Sequence, residues 1–308
     1  MLVLFCRDPL QPRRPDDVYA AEAAVADRLG IAHTLIDHDA IISGDLSSAV
    51  RRVPTADRLT TGVYRGWMIT PEQYRLLHQA LDAKGVRLVN TPDAYRHCHH
   101  LPESYAAIEG STPRTVWLPT AGEVDFEAVI NMLRTFGDTP LVVKDFVKSQ
   151  KHAWEEACFI PSASDRHAVE RVVRQFLELQ APDLAGGLVF REFVEFEPVG
   201  RHPRSGMPLT LEYRLFFIDG KLLLCSEYWE EGDYHGEGPP VEQFTDLASK
   251  VRSRFFTMDV AKRRDGGWLV VELGDGQVAG MPEKADVEAF YRGLVTPDTT
   301  STPRLGSM

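Results

Sequence analysis

Over roughly the first hundred residues, short apolar runs alternate with stretches in which apolar positions recur every three to four residues. Residues 2–6 read as a buried strand that stops at Arg7-Asp8-Pro9. Residues 16–29 follow as a helix, with Asp16 or Asp17 placed to cap it. Residues 34–37 and 62–67 read as further strands. Thr70-Pro71-Glu72 opens a helix, Thr70 capping and Pro71 taking the first helical position; it runs to Lys84 and stops at Gly85. Residues 86–90 are the next strand. Strand and helix in alternation predict a small α/β unit over residues 1–100.

Beyond that point the pattern changes. Residues 93–110 are polar and histidine-containing, a connector with a short helix. Strands are predicted at 114–118, 141–144 and 188–193, helices at 126–136 and 168–179, and a polar loop at 148–156. Residues 211–218 and 222–228 flank Asp219-Gly220, the strongest turn signal in the chain, and read as a hairpin. A helix over 240–255, a strand pair at 256–260 and 268–273, and a helix over 286–294 complete the pattern. The Thr/Ser/Pro tail reads as disordered. The fold class is therefore α/β (α+β), with an N-terminal α/β domain over 1–110, a second domain over 111–296, and a tail over 297–308.

Composition narrows the function. With 308 residues the chain is long enough for about two packed units. A net charge of −11 and only short basic clusters, such as Arg13-Arg14 and Lys262-Arg263-Arg264, disfavour a nucleic-acid surface. The four cysteines, Cys6, Cys98, Cys158 and Cys225, are widely spaced and form no CxxC pair. That disfavours metal knuckles and a disulfide framework and suits a reducing cytosol. Neither an export signal nor a membrane-length apolar run is present, so a cytoplasmic location is expected. A homodimer is only the common prior.

The chemistry gathers in the second half, where Lys144, Arg191, Glu192, Glu212, Arg214, Glu227, Asp259 and Glu272 fall inside strand patterns. A charge in a core strand costs several kcal/mol unless it is paired or binds something. One lined cleft would account for the set; solvent-facing alternation would account for any single member. Asp259 and Glu272 lie on consecutive strands of an apparent antiparallel pair. Facing carboxylates there would suit Mg²⁺ with phosphates completing its shell. Asp275, between two glycines, and Gln277 stand at a turn that could aim either back at the site; a turn-forming role for Asp275 is equally open. Lys144, Arg191 and Arg214 suit phosphates or a bound carboxylate. There is no GxxxxGK[ST] run and no GxGxxG.

The wording VVKDFVKSQKHAWEE, REFVEFEP, EYRLFF and VVELGDGQVAG, with Tyr64-Arg65-Gly66-Trp67-Met68 upstream, resembles the ATP-grasp superfamily, and more narrowly its branch named for two arginines and a lysine. The resemblance spans residues 114–294 and implies an ATP-grasp fold behind a pre-ATP-grasp-like α/β domain. It makes Lys144 the phosphate contact, with Lys148 or Lys151 from the following loop, which here has no glycine. It places Glu192 by the adenine amine, Phe193 and Val194 at the hinge, and Glu212 on the ribose, with Glu195 as the second choice. Asp259 and Glu272 become the magnesium ligands. The family's usual Glu-x-Asn is Glu272-Leu273-Gly274 here, and Asp275 is the choice for the missing ligand. Arg191 and Arg214 become the arginine pair, Arg214 the better catalytic candidate, and Arg65 reaches in from the first domain to hold the acceptor or else forms a surface pair. His152 is not expected to take part.

What the resemblance implies is an ATP- and Mg²⁺-dependent ligase, with two metal ions and Mn²⁺ as a substitute. It would activate a small-molecule or peptide carboxylate as an acyl phosphate for attack by an amine. Two other readings stay open: phosphoryl transfer to a nucleic-acid end on the same fold, and ATP binding without catalysis.

Overall fold

The computed structural model describes residues 1–181, 183–203, 208–235 and 238–295; the predicted tail at 297–308 lies outside them. Two compact units result: residues 1–89 with the C-terminal helix, and residues 90–284.

In the first unit, β1 (Leu2–Cys6) is buried at all five positions because it is central. It pairs in parallel with β2 (His33–Ile36) and β3 (Thr60–Arg65), and β4 (Val86–Leu88) completes the order β2-β1-β3-β4. A parallel strand covered on both faces must be apolar throughout, and Leu-Val-Leu-Phe-Cys is. The connections carry α1 (Asp17–Arg28), α2 (His38–Ile42), α3 (Leu46–Ala49) and α4 (Pro71–Asp82). Asp16 caps α1, and Thr70 forms a reciprocal capping box with Gln73 on α4. Gly85 ends that helix at φ 75°, where a Cβ would also lie 2.8 Å from the Ala56 carbonyl oxygen. The two short helices were not anticipated, being one to two turns long with no readable period.

The second unit begins earlier than residue 111. Residues 92–108 form α5 (Pro92–His99), capped by Thr91, and α6 (Leu101–Ile108), in place of a connector. Cys98 and Ile108 from this pair enter the core of the C-terminal sheet, which is why the boundary falls at 89. Next come β5 (Thr115–Pro119), α7 (Phe126–Leu133), β6 (Leu141–Asp145), β7 (Phe159–Ile160), α8 (Arg166–Gln180) and β8 (Gly187–Glu192). These strands form an antiparallel sheet of order β5-β8-β6-β7, with α7 and α8 over its apolar face. Between β6 and β7, the predicted loop at 148–156 instead holds two short helical turns, Lys151–Ala153 and Trp154–Cys158.

A small ribbon of β9 (Pro198–Arg201) and β10 (Pro208–Thr210) precedes the second large sheet. That sheet has order β12-β11-β13-β14, from β11 (Glu212–Ile218), β12 (Lys221–Glu227), β13 (Phe255–Lys262) and β14 (Trp268–Asp275). Its first hairpin turns at Asp219 and Gly220, both with positive φ, as an Asp-Gly hairpin turn requires. The helix predicted over 240–255 is only α9 (Val241–Ala248); Phe255 already belongs to β13. The last helix, α10 (Val287–Val295), packs within the first unit, moving that boundary from 296 to 284. Among the described residues no helix is long and apolar enough to cross a membrane.

Candidate active site

The C-terminal sheet has one apolar face. Leu215, Phe217, Met258, Val260, Val270 and Leu273 enter the core with α9. Period-two alternation then places Glu212 and Arg214 of β11, and Thr257 and Asp259 of β13, on the opposite face. Arg214 stands directly across from Asp259, and Asp259 directly across from Glu272 on β14. One residue further on, the register slips: Val260 pairs with Val270 and Val271 is skipped. The extra residue lets Val270 stay in the core while Glu272 faces away from it, the use bulges serve beside functional sites.

The other sheet presents its polar face from β6 and β8. Leu141, Val143, Leu188 and Phe190 are in its core, so Val142, Lys144, Val189 and Arg191 share the other side. Lys144 crosses to the second sheet, its Nζ donating to Glu272 Oε1 at 2.6 Å. Burial would raise the Glu272 pKa, but Lys144, with Lys151 and Arg191, more than offsets it and holds this carboxyl below its usual range. Arg214 donates from Nε and Nη2 to the two Asp259 oxygens at 2.8 and 2.7 Å. Its Nη1 donates to the Gly280 carbonyl at 2.9 Å, and its guanidinium lies 4.8 Å from the Tyr228 ring centroid. Burial works against this charge; the bidentate carboxylate overrides it and raises the Arg214 pKa. Glu212, buried beside them, accepts from Thr210 Oγ1 at 3.2 Å. Burial, then the nearby Asp259 charge, raises it to about 7.

A cavity of about 330 Å³ opens at Arg214, with Tyr228, Trp229, Met281 and Pro282 in its walls and His202, Glu230, Glu231 and Glu283 around them. Glu230 and Glu283 bond to each other, which raises the Glu230 pKa. Apolar walls with a few convergent polar groups are what a small-molecule pocket shows.

Not every expected residue joins this face. Asp275 pairs with Phe256, three positions beyond Glu272, so alternation sends it to the core side of the sheet. Fully buried, it accepts from Asn90 Nδ2 at 2.6 Å and from the Gln277 amide and Nε2 at 3.0 and 3.1 Å. It anchors a turn, and its place as third metal ligand is withdrawn; Gln277 is equally buried. Gly274 does share the Glu272 face, but a Cβ there would lie 2.8 Å from Thr257 Oγ1, so the threonine occupies the space an asparagine would need.

Arg65 also departs from expectation. It is 0% exposed inside the first unit, where Nε and Nη2 both donate to Glu22 at 2.8 Å and the Tyr291 hydroxyl donates to the same carboxylate at 2.8 Å. It is neither a surface pair nor an open grip for an acceptor. Arg191, 9% exposed, donates to the Val271 carbonyl at 2.6 Å and to Thr112 Oγ1 at 2.7 Å. Its guanidinium is directed at the protein rather than at a reacting group.

Lys148 is exposed, in a turn held by Asp145, whose carboxylate accepts the Val147 and Lys148 amides and the Ala185 amide. Glu192 lies 3.7 Å from Arg114. Phe193 packs edge-on to Phe159 at 5.1 Å and near Trp154 at 6.1 Å, next to Val194, while Glu195 is exposed and 3.1 Å from Arg264. Lys151 and His152 are exposed.

Sequence reading missed Thr112, Tyr228, Glu22 and His99. Thr112 and Tyr228 carry no charge, so nothing in an apolar pattern marks them. Glu22 sits on the buried side of α1, and that position in a helical period was the available sign. His99 stacks on Tyr95 at 5.0 Å, and burial, with His100 adjoining, holds it neutral with a pKa of about 4.

Asp259 and Glu272 fit a magnesium ion: two hard carboxylates on one face, near a lysine suited to phosphate, leave room for phosphate and water oxygens. Among the described residues no group of three or more His, Cys, Asp or Glu is placed to hold a metal by itself.

Solved structures of similar fold include D-cycloserine synthetase DcsG, at 15% identity over 96% of this chain and 98% of that one, with a TM-score of 0.56. They include the ATP-grasp ligase PsnB complexed with minimal precursor, Mg and ADP, at 15% identity over 89% of each chain and a TM-score of 0.51. N5-carboxyaminoimidazole synthase from Aspergillus clavatus, in complex with ADP and 5-aminoimidazole ribonucleotide, matches at 11% identity over 95% of this chain and 76% of that one, TM-score 0.58. No curated protein matches. The model of the ATP-grasp domain, family 3 of the clade named for two arginines and a lysine, matches residues 135–294, more than half of the chain, and the chain belongs to that family.

Proposed function

We propose that this protein is an ATP- and Mg²⁺-dependent ligase that activates a carboxylate as an acyl phosphate for attack by an amine, releasing ADP and phosphate. The observation that carries this reading is the direct pairing of Asp259 with Glu272, on the face that Lys144 reaches from the opposite sheet. Bound magnesium would draw charge off the phosphates and orient them. Lys144 would exchange Glu272 for phosphate oxygens, with Lys148 and Lys151 in the adjoining loop adding charge from solvent. Glu192, Phe193 and Val194 would meet the adenine; Glu212 would take the ribose, with Glu195 too exposed to compete. The binding of two metal ions, and Mn²⁺ in their place, belongs to the same proposal.

Arg214 is the catalytic residue in this reading. Held flat by Asp259 and Tyr228 at the mouth of the cavity, it would stabilise charge developing on the substrate carboxyl without reorganising. The acidic side of that cavity favours an amine over an anionic acceptor. A cytoplasmic location and small-molecule or peptide substrates complete the proposal.

The test is calorimetry of ATP with Mg²⁺, followed by assay of ADP release against paired carboxylate and amine candidates. Metal-dependent ATP binding and release requiring both partners are expected. Labelled phosphate appearing on a polynucleotide end would replace this reading with end-processing; binding without any turnover would leave an ATP-binding protein.

A further inference from the structure

The register slip that aims Glu272 leaves Val271 unpaired with β13, on the outer strand of its sheet. An unpaired carbonyl beside a functional carboxylate needs a partner, or the strand can shift and carry that carboxylate with it. The partner is Arg191, on β8 of the other sheet: its Nη1 donates to the Val271 oxygen at 2.6 Å. Its Nη2 donates to Thr112 Oγ1 at 2.7 Å, and Thr112 in turn donates to the Val270 carbonyl at 2.8 Å. The Val270 amide donates to the Ser111 carbonyl at 2.7 Å. Both residues preceding Glu272 are thus tied down by one network that also bridges the two sheets.

Arg191 bears this load at some cost. It is 9% exposed, its Nε has no hydrogen-bond partner, and no carboxylate forms an ion pair with it among the described residues. Burial lowers its pKa to about 10. Arg214, by contrast, has a bidentate carboxylate. A buried guanidinium spent on a carbonyl and a hydroxyl is a poor stabiliser of the fold. It is well suited to fixing one strand against another, since its planar fork reaches two acceptors at set angles.

We propose that Arg191 is a positioning residue for Glu272: by clamping the Val271 carbonyl at the register slip, it fixes how that carboxylate is presented beside Asp259. The proposal rests on the nucleotide and metal reading of the site. It separates Arg191 from Arg214, which would touch the substrate.

The test compares Arg191→Met, Arg191→Lys and Thr112→Val with the parent. Mn²⁺ binding in the presence of ADP is read by electron paramagnetic resonance, and ADP binding in chelator by calorimetry. Loss of a group that orients a metal ligand costs about 10–100-fold in metal affinity. Arg191→Met is expected to lose Mn²⁺ affinity in that range while metal-free ADP binding stays near the parent's. Arg191→Lys, able to reach the carbonyl but not Thr112 as well, should recover part of the loss. Thr112→Val, close in shape and less disruptive, should show a smaller loss of the same kind even where Arg191→Met fails to fold. Equal weakening of ADP with and without metal would overturn the proposal and make Arg191 a direct nucleotide contact. Unchanged Mn²⁺ affinity in both Arg191→Met and Thr112→Val would overturn it too; if only Thr112→Val folds, its result decides. A parent that binds neither ADP nor Mn²⁺ would sink the ligase reading itself, a separate outcome.

Discussion

Two bidentate arginine–carboxylate pairs stand in this chain, and they do opposite things. Arg65 with Glu22 is sealed in the first unit, 0% exposed, with the Tyr291 hydroxyl on the same carboxylate and the Phe290 ring 5.7 Å away. Arg214 with Asp259 has nearly the same bond lengths but opens onto a cavity, and Asp259 has a second carboxylate, Glu272, as its cross-strand neighbour. In both, burial opposes the arginine charge and the partner carboxylate more than restores it. Local chemistry therefore does not separate a core ion pair from a site. Access to the pair and the charge standing next to it do.

The sharpest way to break this contrast is Glu22→Ala. Removing one partner of an enclosed pair costs about 3–5 kcal/mol, because the other charge is left buried. Urea unfolding should show a loss of that size; a loss typical of a surface change would mean the first pair is open after all. Replacing both residues by apolar ones of similar volume should return most of the stability.

Glu272→Gln should leave urea stability within about 1 kcal/mol, since the amide oxygen can still accept from Lys144. It should reduce Mg²⁺-dependent ATP affinity about 100-fold, about 2.7 kcal/mol. Equal calorimetric binding in parent and variant would remove the metal assignment.

Glu212 sharpens the comparison through pH. Its folded pKa of about 7 lies above the ordinary glutamate value of 4.5, so between those values the native state holds a proton that the unfolded chain has released. The stabilisation is complete below about 4.5 and is lost as pH rises through about 7. Glu212→Gln should therefore gain on the parent between pH 5 and pH 8 by about 1–3 kcal/mol. Parallel stability–pH curves would show that the carboxyl is not raised.

The smallest effect belongs to Lys148→Ala. An exposed charge in water contributes at most about 1 kcal/mol, so the ATP KM should rise less than about fivefold. A larger rise would mean that the turn closes over the nucleotide and buries this lysine.

The strands carrying the site were legible because each breaks its own pattern. Lys144, Arg191, Glu212, Arg214, Asp259 and Glu272 are charges set in apolar runs, and the structure puts all six on the two polar sheet faces. The Asp219-Gly220 hairpin and the Thr70-Pro71 helix start were equally readable, since each depends on backbone chemistry within a few residues.

Face and partner were not readable, and the errors share that origin. Asp275 is three residues from Glu272, and only the completed register shows that this spacing turns it toward Asn90. Arg65 meets Glu22, which lies 43 residues earlier, and Arg191 meets Val271, 80 residues later. The sequence by itself determined which residues carry charge into strands and where chains turn, because propensity and period act locally. Tertiary structure alone decided which charges neutralise one another and which are left facing a cavity, because that depends on strands brought together from far apart in the chain.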